Sequence, residues 1–111
     1  MDHATVSLPL EASLDERDGL YLRRAIAMAD HARKRGNRPF GALIVAADGR
    51  VLAEASNANG ESGDCTAHAE LSAIRLASPL HDREALSAAT LYSSAEPCVM
   101  CAGAIFWSAI G

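Results

Sequence analysis

The chain has 111 residues, half of them apolar, and a formal net charge of −4. That length allows one domain with a modest core, no apolar run is long enough to span a bilayer, and the acidic balance makes nucleic acid an unexpected partner, since phosphate binding needs a basic surface. Three cysteines, two of them in Cys98-x-x-Cys101, exclude a disulfide framework and point to a reducing, cytoplasmic setting.

Residues 1–18 are mixed in character and lack the apolar core of a secretory signal; they read as an N-terminal arm, with residues 19–111 as the domain. Ser13 and Glu16 have the spacing of a capping box. From about Gly19 to Arg35, Leu22, Ala25, Ile26, Ala29 and Ala32 recur at helical spacing and predict one apolar stripe. Gly36 ends that helix, and Arg33, Lys34 and Arg35 read as helix-end charge rather than as an RNA contact. Ala42–Val45 is a short buried strand, Asp48-Gly49 a tight turn, and Val51–Ala55 the returning strand of a hairpin. Residues 57–64 are rich in Asn, Gly and Ser and read as a loop.

A second helix is predicted over Ala67–Ala77, capped by Thr66, with Leu71, Ile74 and Ala77 facing inward and Pro79 beyond its end. Residues 81–87 read as a polar connection, Thr90–Ser94 as a third strand, and Pro97–Ser108 as a third helix with Pro97 at its first position. Hairpin, helix, strand and helix make an α/β layered domain. The strand–helix–strand unit from Val51 to Ser94 is expected to be a right-handed parallel crossover.

Two short stretches carry chemistry: Thr66-Ala67-His68-Ala69-Glu70 and Glu96-Pro97-Cys98-Val99-Met100-Cys101. Cys-x-x-Cys alone fits a redox pair or half of a structural zinc site. Together the stretches offer His68, Cys98 and Cys101 as ligands and Glu70 as a carboxylate that need not bind metal. That is the ligand count of a catalytic zinc with its fourth position open. A helix start at Pro97 lowers the thiol pKa and favours the thiolate. His68 and Glu70 do not share a helix face, a difficulty that is met if the metal lies off the helix end with Glu70 beside the bound water. A purely structural zinc would recruit Cys65 as a fourth ligand; otherwise Cys65 reads as an inert thiol. Glu96 reads as a helix-start charge, Asn57 as a turn residue and Phe40 as core.

These motifs, in this order, resemble the zinc-dependent cytidine and deoxycytidylate deaminase superfamily, and within it the guanine deaminase-like free-base deaminases. The resemblance runs from about Tyr21 to Gly111 and is densest at Pro39-Phe40-Gly41-Ala42, Asn57, residues 66–70 and residues 91–103. It implies a three-layer α/β/α fold with a central mixed sheet flanked by helices. The family continues past Ile110-Gly111, so the fold is expected to be cut short after the third helix, leaving a strand edge open.

The resemblance also implies one Zn2+ per chain on His68, Cys98 and Cys101, with Glu70 moving protons. It implies Asn57 holding the substrate ring, Phe40 packing on it, and the N–H of Ala69 meeting a substrate oxygen. A homodimer is expected, with Phe106 and Trp107 as core or dimer contacts. The expected function is hydrolytic deamination of a free nucleobase or similar cyclic amidine, guanine-like, releasing ammonia. The alternatives are a tRNA adenosine deaminase and a catalytically silent zinc-stabilised fragment or dimerisation module.

Overall fold

The computed structural model describes residues 14–111. Its elements in chain order are α1 (Leu14–Lys34), β1 (Gly41–Val45), β2 (Val51–Ser56), α2 (Asn59–Ser62), α3 (Ala69–Ala77), α4 (Arg83–Ser87), β3 (Thr90–Ser93) and α5 (Val99–Ser108). The first helix therefore begins at Leu14, inside the stretch read as an arm, while Ser13 of the expected capping box lies outside the described residues.

β1 is the centre of the sheet. Its sequence Gly-Ala-Leu-Ile-Val is apolar throughout, and all five residues are buried. Such a strand needs cover on both faces and partners on both edges. The strand order is β2-β1-β3, and both ladders are antiparallel. The expected mixed sheet is thus incorrect, because no hydrogen-bonded strand pair among the described residues is parallel. β2 and β3 run in the same direction, but β1 lies between them and takes both sets of hydrogen bonds. The hairpin turn is closed by Ala46 N–H on Arg50 O at 2.8 Å, with Gly49 at φ 91, a conformation glycine adopts without strain.

Alternation along β1 sends its side chains to two separate clusters. Leu43 and Val45 pack with Tyr21, Ala25 and Met28 of α1 and with Tyr92 of β3. Ile44 packs on the other face with Ala53, Ala73, Ile74, Ala77 and Leu86. Helix, sheet and helix give the expected three layers. The buried stripe of α1 is Tyr21, Ala25, Met28, Ala29 and Ala32, whereas Leu22 and Ile26 are exposed. The expected stripe is therefore rotated. Tyr21 stacks on Tyr92 at 5.2 Å and donates to Gly49 O at 2.9 Å, so it holds the inward position. On α3 the buried set is Ala69, Glu70, Ala73, Ile74 and Ala77, and Leu71 is only half-buried.

Five helices stand among the described residues where three were expected, so the chain does not end after a third helix. α2 is a single turn closed by Gly63 in the left-handed region. α4 starts on Asp82, whose carboxylate accepts from Ala85 N–H at 2.8 Å. Phe106 and Trp107 meet edge to face on α5 but are 74% and 80% exposed, so they are not core. No helix among the described residues is long and apolar enough to cross a membrane.

One glycine fixes how closely α1 lies on the sheet. A Cβ at Gly41 would sit 2.5 Å from Ala25 O and 2.6 Å from Met28 Cβ. Gly41→Ala should therefore destabilise the fold by about 1–3 kcal/mol, the usual cost of overpacking. A denaturant titration showing an unchanged midpoint would contradict this contact.

Candidate metal centre

The second and third predicted helices start later than the sequence suggests, and the site depends on that difference. α3 opens at Ala69 with His68 as its N-cap, in extended backbone at φ −83 and ψ 148. α5 opens at Val99 with Cys98 as its N-cap, at φ −71 and ψ 175. Pro97 is therefore outside the helix, and Thr66 is not a cap. Thr66 instead closes a turn on Asp64, whose Oδ1 accepts from its N–H at 2.8 Å and from its hydroxyl at 2.7 Å. An N-cap side chain points back along the axis, off the helix end. That removes the difficulty of His68 and Glu70 lying on different helix faces. Neither His68 nor Cys98 spends its side chain on a capping hydrogen bond. Both are left to face each other.

His68 Nδ1 lies 3.5 Å from Cys98 Sγ and 3.6 Å from Cys101 Sγ. All three donor atoms fall within 4.8 Å of one another. In a tetrahedral zinc site with ordinary Zn–N and Zn–S bonds, the N···S edge is about 3.6 Å. Two thiolates and an imidazole are also donors that zinc favours. The residues present fit a zinc ion, held through Nδ1 of the histidine. Cys65 is exposed and does not join the cluster.

Charge at the two sulfurs is unequal. The Cys98 thiol is pushed below its ordinary value, chiefly by the N–H of Cys101 and further by that of Met100, which act on the sulfur without forming a standard cap. The Cys101 thiol is pushed up to about 12 by its burial first, then by the neighbouring Cys98 and Glu70. Without metal, the Cys101 thiol thus keeps its proton at neutral pH.

Glu70 is buried, at 6% exposure, in the first turn of α3. Its Oε1 receives the Ser93 hydroxyl at 3.2 Å, and its proximity helps raise the Cys101 thiol. Ser93 is a site residue that motif reading passes over. Period-two alternation carries the signal: Tyr92 faces α1, so its neighbour Ser93 faces α3.

A cavity of about 420 Å³ opens beside the triad, lined by His68 and Cys98 together with Arg38, Phe40, Asn57 and Glu96. Cys65 also reaches it. Cys101, Glu70 and Ala69 are buried and do not line it. Ala69 is the first residue of α3, so its N–H has no carbonyl a turn earlier to bond. Glu96 lies two residues before the α5 cap, not in its first turn, and is a wall of the cavity instead of a helix-start charge. Asn57 is almost wholly buried, at 2% exposure. Its Oδ1 accepts Asn59 N–H at 3.0 Å, and no acceptor among the described residues takes its Nδ2. Asn57 therefore brings a donor to the cavity. Its own N–H bonds Phe40 O at 2.9 Å, which ties the two walls together.

Residues 15–111 match the family described as the cytidine and deoxycytidylate deaminase zinc-binding region. The chain is 46% identical over 97 residues to a probable cytosine deaminase of Schizosaccharomyces pombe, covering 87% of this chain and 58% of that one. It is 42% identical over 90 residues to a tRNA-specific adenosine deaminase of Agrobacterium fabrum, covering 81% and 59%. The X-ray structure of guanine deaminase from Bacillus subtilis superposes with a TM-score of 0.72 at 44% identity, covering 81% of this chain and 57% of that one. The chain thus spans under two thirds of these relatives' length. Further relatives are also named tRNA-specific adenosine deaminases. They overturn the expectation that nucleic acid is not a partner. Net charge is a sum over the whole chain, whereas a nucleic-acid path is a local field.

Because metal must displace the Cys101 proton, zinc affinity should rise with pH. The gain is about tenfold per pH unit for each proton released, at any pH below the raised thiol value. Chelator competition at pH 6, 7 and 8 measures this; an affinity flat across that range would contradict the protonated thiol.

Proposed function

The chain belongs to the cytidine and deoxycytidylate deaminase zinc-binding family, and on that premise we propose that it is a zinc-dependent hydrolytic deaminase of a free nucleobase or similar cyclic amidine, guanine-like or cytosine-like. The observation that carries this reading is the pair of N···S distances, 3.5 and 3.6 Å, which match a tetrahedral zinc edge with only three protein ligands. Three ligands and one open position are the catalytic arrangement.

One zinc per chain would be held by His68 Nδ1 and the thiolates of Cys98 and Cys101. Bound zinc supplies a water of lowered pKa at neutral pH. The chain's residues do the rest. Water adds to the amine-bearing ring carbon, the C–N bond breaks, ammonia leaves and a carbonyl product remains. Glu70 is the proton carrier: it takes a proton from the water and passes it to a ring nitrogen, then takes the second from the hydroxyl of the addition product and delivers it to the leaving amine as the carbonyl forms. Asn57 Nδ2 donates to an acceptor on the base, and Phe40 gives the ring an apolar wall. The N–H of Ala69, free at a helix start, is a donor for a developing oxyanion. A reducing, cytoplasmic setting suits this reading, because Cys98 and Cys101 must stay unoxidised to hold the metal.

A second reading is deamination of an adenosine within tRNA, and the relative named a tRNA-specific adenosine deaminase, at 42% identity, favours it. One assay separates the two. The full chain, zinc-loaded, is incubated with guanine, isocytosine and cytosine, and in parallel with tRNA. Ammonia from a base supports the first reading; inosine in tRNA with no ammonia from any base supports the second.

Glu70→Gln should retain zinc and the fold yet lose turnover by about 10²–10⁴-fold, the usual worth of a positioned proton carrier. Zinc lost from that variant in elemental analysis would mean that Glu70 holds metal. Cys65→Ser should leave zinc content unchanged; a stripped metal would instead make Cys65 a fourth ligand.

A further inference from the structure

The four cations between residues 33 and 38 differ sharply in what they touch. Arg33 and Lys34 both pair with Asp30, at 2.7 and 3.0 Å. Arg35 is bound by Glu61, with Nε at 3.0 Å and Nη2 at 2.5 Å. Arg38 alone of the four has no carboxylate partner among the described residues, and it lines the cavity beside the metal triad. Glu96 lines the same cavity, yet no ion pair joins the two.

The segment carrying Arg38 is held firmly. Asn37 Nδ2 donates to Glu61 Oε1 at 2.6 Å, and Glu61 N–H returns to Asn37 Oδ1 at 2.9 Å. Gly60 is pressed on Gly36, where a Cβ would meet Gly36 O at 2.4 Å. Asn37 is buried, and Arg35 binds the same Glu61 carboxylate. This clamp joins the segment bearing Arg38 and Phe40 to the segment bearing Asn57. The Glu61 carboxylate therefore adds to the Asn57–Phe40 backbone bond in setting the two walls of the cavity relative to each other.

We propose that Arg38 is a specificity-determining residue that selects bases bearing a ring carbonyl. The inference rests on the reading of the cavity as a base-binding site. Two residues that line the cavity carry side-chain donors, Asn57 through Nδ2 and Arg38 through a guanidinium, a planar fork with no acceptor capacity. Their complement is an electron-rich edge, a carbonyl oxygen with its neighbouring ring nitrogen. A base in which that carbonyl is replaced by an amine sets donor against donor at that position, and removes one of the edge's two acceptors. Shape is unchanged by that replacement, so the discrimination is purely one of hydrogen-bond polarity.

The experiment is calorimetric binding to the zinc-loaded full chain, with ammonia release measured separately. Guanine is compared with 2,6-diaminopurine, and cytosine with 2,4-diaminopyrimidine. The wild type should bind the oxo member of a pair more tightly. Arg38→Gln should weaken that oxo base by about tenfold or more, the worth of a charge-assisted hydrogen bond, while changing its diamino partner by no more than about twofold. Arg38→Lys should recover part of the loss. Glu61→Gln, which loosens the clamp, should weaken the oxo base in the same direction with zinc content unchanged. Equal losses for both members of each pair, or no loss, overturn the proposal. A wild type that binds no base overturns it as well. A wild type that binds the oxo base with this discrimination but releases no ammonia leaves Arg38 in its role and sinks the deaminase reading.

Discussion

The site exists because two helices begin at the same place with a metal-binding residue at each N-cap. An N-cap residue has extended backbone, and its side chain projects past the helix end. In most proteins that side chain turns back to satisfy the first free N–H groups. Here His68 and Cys98 instead aim at each other, and Cys101, one turn into α5, completes the triad from the same side. The orphan N–H groups still contribute: those at Cys101 and Met100 favour negative charge on the Cys98 sulfur. Everything that holds α3 and α5 on the sheet therefore holds the ligand geometry too.

The sheet supplies that hold. β1 is buried on both faces, so α1 and α3 are pressed against opposite sides of it, and α5 packs on α3. The end of β3 is locked to the start of β1: Ser94 N–H meets Gly41 O at 2.9 Å, and Gly41 N–H meets Ser94 Oγ at 3.0 Å. The chain leaves that junction directly for Glu96, Pro97 and Cys98. Asn57, just past the end of β2, is bonded to Phe40, just before β1. Metal ligands and cavity walls thus hang from the same end of one small sheet, as expected where active residues sit on loops at strand ends.

Much of this was legible in the sequence, for identifiable reasons. The ligand set announces itself because His-x-Glu and Cys-x-x-Cys are chemical spellings that need no knowledge of packing. The hairpin follows from Asp48-Gly49 between two apolar runs. What stayed hidden depends on tertiary choice. α1 carries two apolar rows, and only the pairing of Tyr21 with Tyr92 and Gly49 decides that Leu22 and Ile26 face out. Strand order is not written in local periodicity, so the place of β1 between β2 and β3 could not be read. The ligands look like first-turn residues by spacing, but Pro97 and the turn at Asp64–Thr66 delay both helix starts. Ser93 and the Asn37–Glu61 clamp join residues far apart in the chain, and no short motif marks them.

X-ray absorption at the zinc edge tests the central claim most directly, because it counts the ligands that the two N-caps bring together. The account predicts two sulfur neighbours at about 2.3 Å and two lighter nitrogen or oxygen neighbours at about 2.0–2.1 Å, one from His68 and one from solvent. Three sulfur neighbours would mean that Cys65 closes the site, and a closed site has no place for a water; that spectrum would contradict the account.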